Sequence, residues 1–200
     1  SENLIAYLNQ SRKSDQSPTV DETLGLSVLI VVAGFETTVN LLGNGLLTLL
    51  LHPGQLHLLR KNPGLLNGAI DEMLRFESPL QRSTYRITTK EFSLNGFNLG
   101  PNQQVSAVIG AANRDPDQFP NADVFDITRN PNPHLSFGLG IHKCLGERLA
   151  RMEAGIAFRA LLEKFSHIEI IDSKPDWQQK TLFRGLNSMH ICCDDKNTKV

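Results

Sequence analysis

The sequence predicts a mainly α chain carrying small antiparallel β-sheets, and three stretches carry that prediction. Residues 24–51 form an apolar run whose one formal charge is Glu36. Near the other end, Leu145, Leu149, Met152 and Ile156 recur at helical spacing. Between the two lie short alternating segments around Asn95-Gly96, the strongest hairpin-turn signal in the chain.

Taken in order, residues 2–10 read as the end of a helix, followed by a polar loop through Pro18. Thr19-x-x-Glu22 is a capping box and announces a helix from Val20 to about Leu51. Such a helix is long enough to span a bilayer. Glu36, Thr37, Thr38, Asn40 and Asn44 would be costly in lipid, however, and an all-round apolar helix also suits the centre of a protein. The expectation is a buried central helix and no membrane segment. Pro53 opens a shorter helix that ends at Asn62-Pro63, and 65–76 makes another before Pro79. Strands are expected over 83–88, 92–94, 97–99 and 104–109. Residues 116–134, rich in Pro, Asn and Asp, read as an ordered meander. A long helix over 144–165 and a terminal strand pair over 167–171 and 188–192 complete one domain spanning 1–200.

A net charge of −1 gives no basic excess to suggest nucleic acid. The first ten residues are polar and mixed, unlike a cleavable secretory signal. Cys144, Cys192 and Cys193 are too few and too badly spaced for a disulfide framework, so a reducing, cytoplasmic compartment is expected.

The chemistry concentrates in Phe137-Gly-Leu-Gly-Ile-His142-Lys-Cys144-Leu-Gly146. Cys144 sits where loop becomes helix. Unpaired N–H groups and the helix dipole there favour a thiolate, hence a nucleophile or a metal ligand. A buried structural cysteine beside a glycine turn is the alternative. Gly138 and Gly140 permit turns a side chain would forbid, and Gly146 allows a flat object close to the backbone. The five-position pattern Phe-x-x-Gly-x-His-x-Cys-x-Gly arises by chance in roughly one chain in 10⁵. Here the sequence resembles the cytochrome P-450 family of haem-thiolate monooxygenases.

That resemblance implies a cytochrome P-450-like fold truncated at its N-terminal side, since family members run to about twice this length. It implies that Cys144 is the thiolate ligand of a haem b (iron protoporphyrin IX), with Phe137 near the sulfur and Gly138 and Gly146 beside the ring. Ala33-Gly34-Phe35-Glu36-Thr37-Thr38 matches the oxygen-binding segment: Ala33 and Gly34 line it, and Thr37 and Glu36 deliver protons. Arg86, His134 and His142 are implied as propionate partners. Glu72-x-x-Arg75, with Arg129 from the meander, is implied as a buried structural ion-pair network. Leu80, Gln81, Thr181 and Leu182, together with residues 31–33, fall in substrate-facing segments. The implied reaction inserts one oxygen atom of O₂ into an apolar small molecule, with electrons from NAD(P)H delivered by a ferredoxin or flavodoxin-type donor. Lys143, Arg148, Arg151, Arg60 and Lys61 are candidates for the surface that meets this donor. A missing N-terminal half leaves a large apolar face on the central helix, to be covered by that half or another chain. Two further readings stay open: a non-catalytic haem-binding or sensing module, and an inactive remnant half-domain.

Overall fold

The computed structural model describes residues 6–7 and 18–195. Apart from Ala6 and Tyr7, the helix expected over 2–10 lies outside the described residues. The chain divides into two compact units, Ser1–Thr37 and Thr38–Val200.

In the first unit the described structure is dominated by the N-terminal part of helix α1 (Val20–Leu51). Its start is the expected capping box: the Thr19 N–H donates to Glu22 Oε2 (2.7 Å), and the Glu22 N–H donates to Thr19 Oγ1 (3.2 Å). The burial expected of the helix is absent here, and the large apolar face expected on it is present. Leu24, Val31 and Phe35 are 63%, 64% and 72% exposed. By length and composition α1 could cross a membrane, with a mean hydropathy of 1.7 in its apolar window.

The second unit holds the core. From Asn40 onward α1 is largely buried, through Leu41, Asn44, Leu46, Leu47, Thr48 and Leu49. Helix α2 (Pro53–Lys61) and a 3₁₀ turn (Pro63–Leu65) lead into α3 (Leu66–Phe76), followed later by α4 (Ile109–Ala112) and α5 (Glu147–Lys164). A Cβ at Gly45 would lie 2.7 Å from Met73 Sδ and 2.9 Å from Phe158 Cζ. Only glycine therefore lets α1 approach α3 and α5 this closely. Ile70, Met73, Phe125, Ala154 and Phe158 fill the space between them.

Among the described residues, four two-stranded antiparallel sheets accompany these helices. β1 (Arg86–Ile87) pairs with β4 (Gln104–Val105), and β2 (Phe92–Leu94) pairs with β3 (Phe97–Leu99). β5 (Phe165–Ile170) pairs with β8 (Ile191–Asp195), and β6 (Asp176–Trp177) pairs with β7 (Leu186–Ser188). The β2–β3 turn has φ of 50° at Asn95 and 81° at Gly96, the left-handed pair a tight hairpin requires.

Several expected boundaries move. Residues 83–88 and 104–109 each contain only a two-residue strand, and Ile109 opens a helix instead, with the Ala112 N–H bonded to the Val108 carbonyl (3.0 Å). The last strand lies at 191–195 rather than 188–192, because Leu186–Ser188 is taken by the unanticipated β6–β7 pair. The meander over 116–134 is ordered by Phe119, Ala122, Phe125 and Ile127, all buried.

Candidate functional site

A buried polar cluster is built on α3. Glu72 and Arg75, one turn apart, are both fully buried. Arg75 Nε and NH2 each donate to a different Glu72 carboxylate oxygen at 2.8 Å. Arg129 Nε reaches the same carboxylate at 3.2–3.3 Å, so the structure brings together all three residues the sequence singled out. Asn132 Nδ2 (3.1 Å) and the Asp126 N–H (2.9 Å) complete the carboxylate's partners. Arg75 also ties down the carbonyls of Asn113 (2.9 Å) and Ala122 (2.8 Å). Every charge here is matched by an opposite charge or a dipole, as burial demands.

Beside this cluster runs the cysteine loop. Gly138 and Gly140 have φ of +71° and +76°, which side-chain-bearing residues rarely adopt. The Gly138 N–H donates to the Leu135 carbonyl (2.8 Å), the Lys143 N–H to that of Gly140 (3.0 Å) and the Cys144 N–H to that of Phe137 (2.8 Å). This corrects two expectations. The Cys144 amide is bonded within the loop, and α5 begins three residues later at Glu147, with Gly146 as its N-cap. Cys144 is nevertheless exposed. Around it Leu139, Ile141 and Leu145 are 80%, 98% and 99% exposed. A Cβ at Gly140 would meet nothing within 4 Å, while one at Gly146 would lie 3.9 Å from the Cys144 sulfur.

Phe137 is half-buried. The ring packs against the core, with the Arg151 guanidinium 4.9 Å above it and the His134 ring 5.9 Å away. Its link to Cys144 is its backbone carbonyl.

The three expected propionate partners diverge. Arg86 is exposed and donates to Thr84 Oγ1 (2.6 Å), and His142 is exposed at the end of the 3₁₀ turn Gly140–His142. His134 is turned inward. Its side chain is 4% exposed, with Nε2 3.3 Å from Asp71 Oδ1 and Nδ1 accepting the Ser136 N–H (3.3 Å). That acceptor bond occupies the lone pair a second proton would need. Burial pushes its pKa from 6.5 to about 4, against the opposing pull of Glu147 and Glu72, and leaves a neutral imidazole.

Among the substrate candidates, the Gln81 N–H donates to the Leu182 carbonyl (2.8 Å), and Leu80 bridges to Phe183. Residues 80–81 and 182–183 therefore lie side by side. The Gln81 amide itself is held by the Ser78 carbonyl (2.7 Å), and Thr181 is exposed. In the first unit, Thr37 Oγ1 donates to the Ala33 carbonyl (2.6 Å), the back-bond that loosens a helical ladder, and a Cβ at Gly34 would meet no atom within 4 Å. Glu36 is half-buried.

The proposed basic surface is thinner than the sequence suggested. Arg60 NH1 caps the end of α5 through the carbonyls of Leu162 (3.1 Å) and Phe165 (2.9 Å). Arg151 and Lys143 are engaged by acidic neighbours, which leaves Lys61 and Arg148 as the exposed members without a described ion pair.

A family model described as Cytochrome P450 matches residues 57–186. The chain belongs to the cytochrome P450 family. It is 46% identical over 192 residues to the biotin biosynthesis cytochrome P450 of Bacillus subtilis (strain 168), covering 95% of this chain and 48% of that protein. The P450 monooxygenase TamI, solved with tirandamycin C, superposes with a TM-score of 0.94 at 37% identity over 97% of this chain and 49% of that one. P450BioI, solved with an acyl carrier protein bearing hexadec-9Z-enoic acid, gives 0.85 at 42% identity over 96% and 52%. The chain thus spans about half the length of the P450s it matches.

The residues present fit a P450 haem. The exposed Cys144 lies in a loop whose Leu139, Ile141 and Leu145 are also exposed, an apolar surface that a macrocycle would cover. Among the described residues no group of three or more His, Cys, Asp or Glu could hold a metal ion. Cys144 is the residue that would hold the iron of a bound haem.

Proposed function

We propose that this chain is the haem-ligating part of a P450 monooxygenase that inserts one oxygen atom of O₂ into an apolar small molecule. Electrons come from NAD(P)H through a ferredoxin or flavodoxin-type donor in the cytoplasm. One observation carries the reading: Cys144 is presented at the tip of a hydrogen-bonded loop, exposed, amid Leu139, Ile141 and Leu145. A bound haem b with a thiolate ligand supplies activation of O₂.

This chain's own residues bind and orient. Leu139, Ile141 and Leu145 exclude water from the ring, and Arg86 and His142 are the hydrogen-bond donors available to its carboxylates. The Glu72–Arg75–Arg129 network holds the meander behind the loop. In the distal segment, Thr37 Oγ1 gives its proton to the Ala33 carbonyl, so its oxygen accepts a bond; to deliver a proton it must turn away from that carbonyl. Glu36 is the carboxylate one residue away. Leu80 and Leu182 offer apolar lining, which suits the acyl chain seen bound in the P450BioI complex. We read α1 as the central helix of the complete fold rather than a membrane span, because the likeness to solved P450s covers 96–97% of this chain.

Product formation driven by NAD(P)H, with a donor system and a complete partner half, tests the reading. Thr37→Ala should lower product formed per electron consumed. Equal coupling in that variant removes the proton-delivery role, and failure of any preparation to take up haem removes the whole assignment.

A further inference from the structure

A polar chain runs around the cysteine loop and fastens both of its ends. At the N-terminal end, His134 Nε2 meets Asp71 Oδ1 of α3 (3.3 Å). Asp71 in turn pairs with Arg151 NH1 of α5. Arg151 Nε and NH2 reach Glu147 Oε1, one turn earlier, at 3.3 Å and 3.2 Å. Glu147 Oε2 takes Lys143 Nζ at 2.7 Å, immediately before Cys144. The segment 134–143 is thus tied at its first and last residues to one chain of alternating partners. At the middle of that chain the Arg151 guanidinium lies 4.9 Å over the Phe137 ring, and it is the Phe137 carbonyl that holds the Cys144 N–H.

Isolated surface ion pairs contribute little. This set differs in two respects. All its members but Lys143, which is 55% exposed, are partly or largely buried, with side-chain exposures of 4% for His134, 31% for Asp71, 33% for Arg151 and 21% for Glu147. Two of them, Arg151 and His134, also meet the Phe137 ring, over which the guanidinium stacks while donating along its edge. A loop with two left-handed glycines has little stiffness of its own. Its geometry has to come from outside it.

We infer that Arg151 is the positioning residue of the cysteine loop: with Asp71 and Glu147 it fixes the Phe137–Cys144 register and so the direction in which the sulfur points. The consequence for haem ligation rests on the function proposed above; the clamping of the loop does not. Arg151 touches neither substrate nor the sulfur and acts through Phe137.

Native-state hydrogen exchange on the whole haem-free chain tests this directly. In Arg151→Met, the Gly138, Lys143 and Cys144 amides should exchange about tenfold faster, the mark of local opening, while those of β5 and β8 keep their rates. Asp71→Asn should do the same from the other side of the pair. Arg151→Lys, which retains the cation, should keep most of the protection. Unchanged loop exchange in both Arg151→Met and Asp71→Asn, or acceleration spread equally over β5 and β8, overturns the inference. In haem-loaded material, the same two variants should raise the share of ferrous–CO complex lacking the strongly red-shifted Soret band. An unchanged share overturns the extension to the sulfur. A wild-type chain that takes up no haem defeats the proposed function, while the exchange rates still decide the clamp.

Discussion

Two neighbouring regions of this P450 chain solve opposite problems. The Glu72–Arg75–Arg129 cluster is closed upon itself: its carboxylate and guanidinium groups are matched within the chain, and Glu72 and Arg75 are fully buried. The cysteine loop is open. Its backbone is internally bonded, yet Cys144, Ile141 and Leu145 are exposed. The difference separates stability from function. What holds the fold is already complete, and what performs chemistry is shaped for something added.

Breaking the closed region should give the largest effect. Glu72→Gln leaves Arg75 buried beside a neutral partner and should lower unfolding free energy by about 3–5 kcal/mol in urea denaturation. Cys144→Ser in the open region should change it by less than about 0.5 kcal/mol.

His134, which borders both regions, should give a pH signature of intermediate size. Its folded pKa of about 4 lies below the ordinary 6.5, so the unfolded chain binds the extra proton first. Its contribution, about 3 kcal/mol by linkage, is fully present above pH 6.5 and lost as pH falls toward 4. Denaturation midpoints across that window should show the slope, and His134→Gln should flatten it.

Smaller effects sharpen the contrast through glycine. At Gly45 the surroundings are tight, and Gly45→Ala should cost about 1–3 kcal/mol through overpacking of Met73 and Phe158. At Gly140 the space is open but φ is +76°, so Gly140→Ala should cost about 1 kcal/mol, from backbone strain alone. Smallest of all, Leu145→Gln should leave thermal unfolding of the haem-free chain unchanged while weakening haem uptake measured by titration.

Local signals proved readable, and long-range ones did not. Helix α1 follows its capping box to the residue, because Thr19 and Glu22 act within one turn. Asn95-Gly96 announces its hairpin because two consecutive left-handed residues admit few other solutions. The Glu72–Arg75–Arg129 cluster was legible only through the family resemblance, and Asn132, 60 positions from Glu72, had no local spacing to mark it. Asn113 escaped for the same reason: its amide meets Ser78 Oγ (2.7 Å) and Ser136 Oγ (2.9 Å), and no helical or strand periodicity connects those three. Arg60 looked like surface charge, and only the folded chain brings the C-terminal carbonyls of α5 to it. The inward turn of His134 was likewise invisible, since Asp71 lies 63 residues away. The exposure of Leu24, Val31 and Phe35 is the counterpart: their apolar character was plain, while what covers them lies beyond any local pattern.

The central claim is that the Cys144 sulfur is the protein ligand of a haem iron. The ferrous–CO difference spectrum of the haem-loaded chain tests it most directly. The account predicts a strongly red-shifted Soret band in the wild type that disappears in Cys144→Ala. The same band in both proteins, or its absence from haem-loaded wild type, would contradict it.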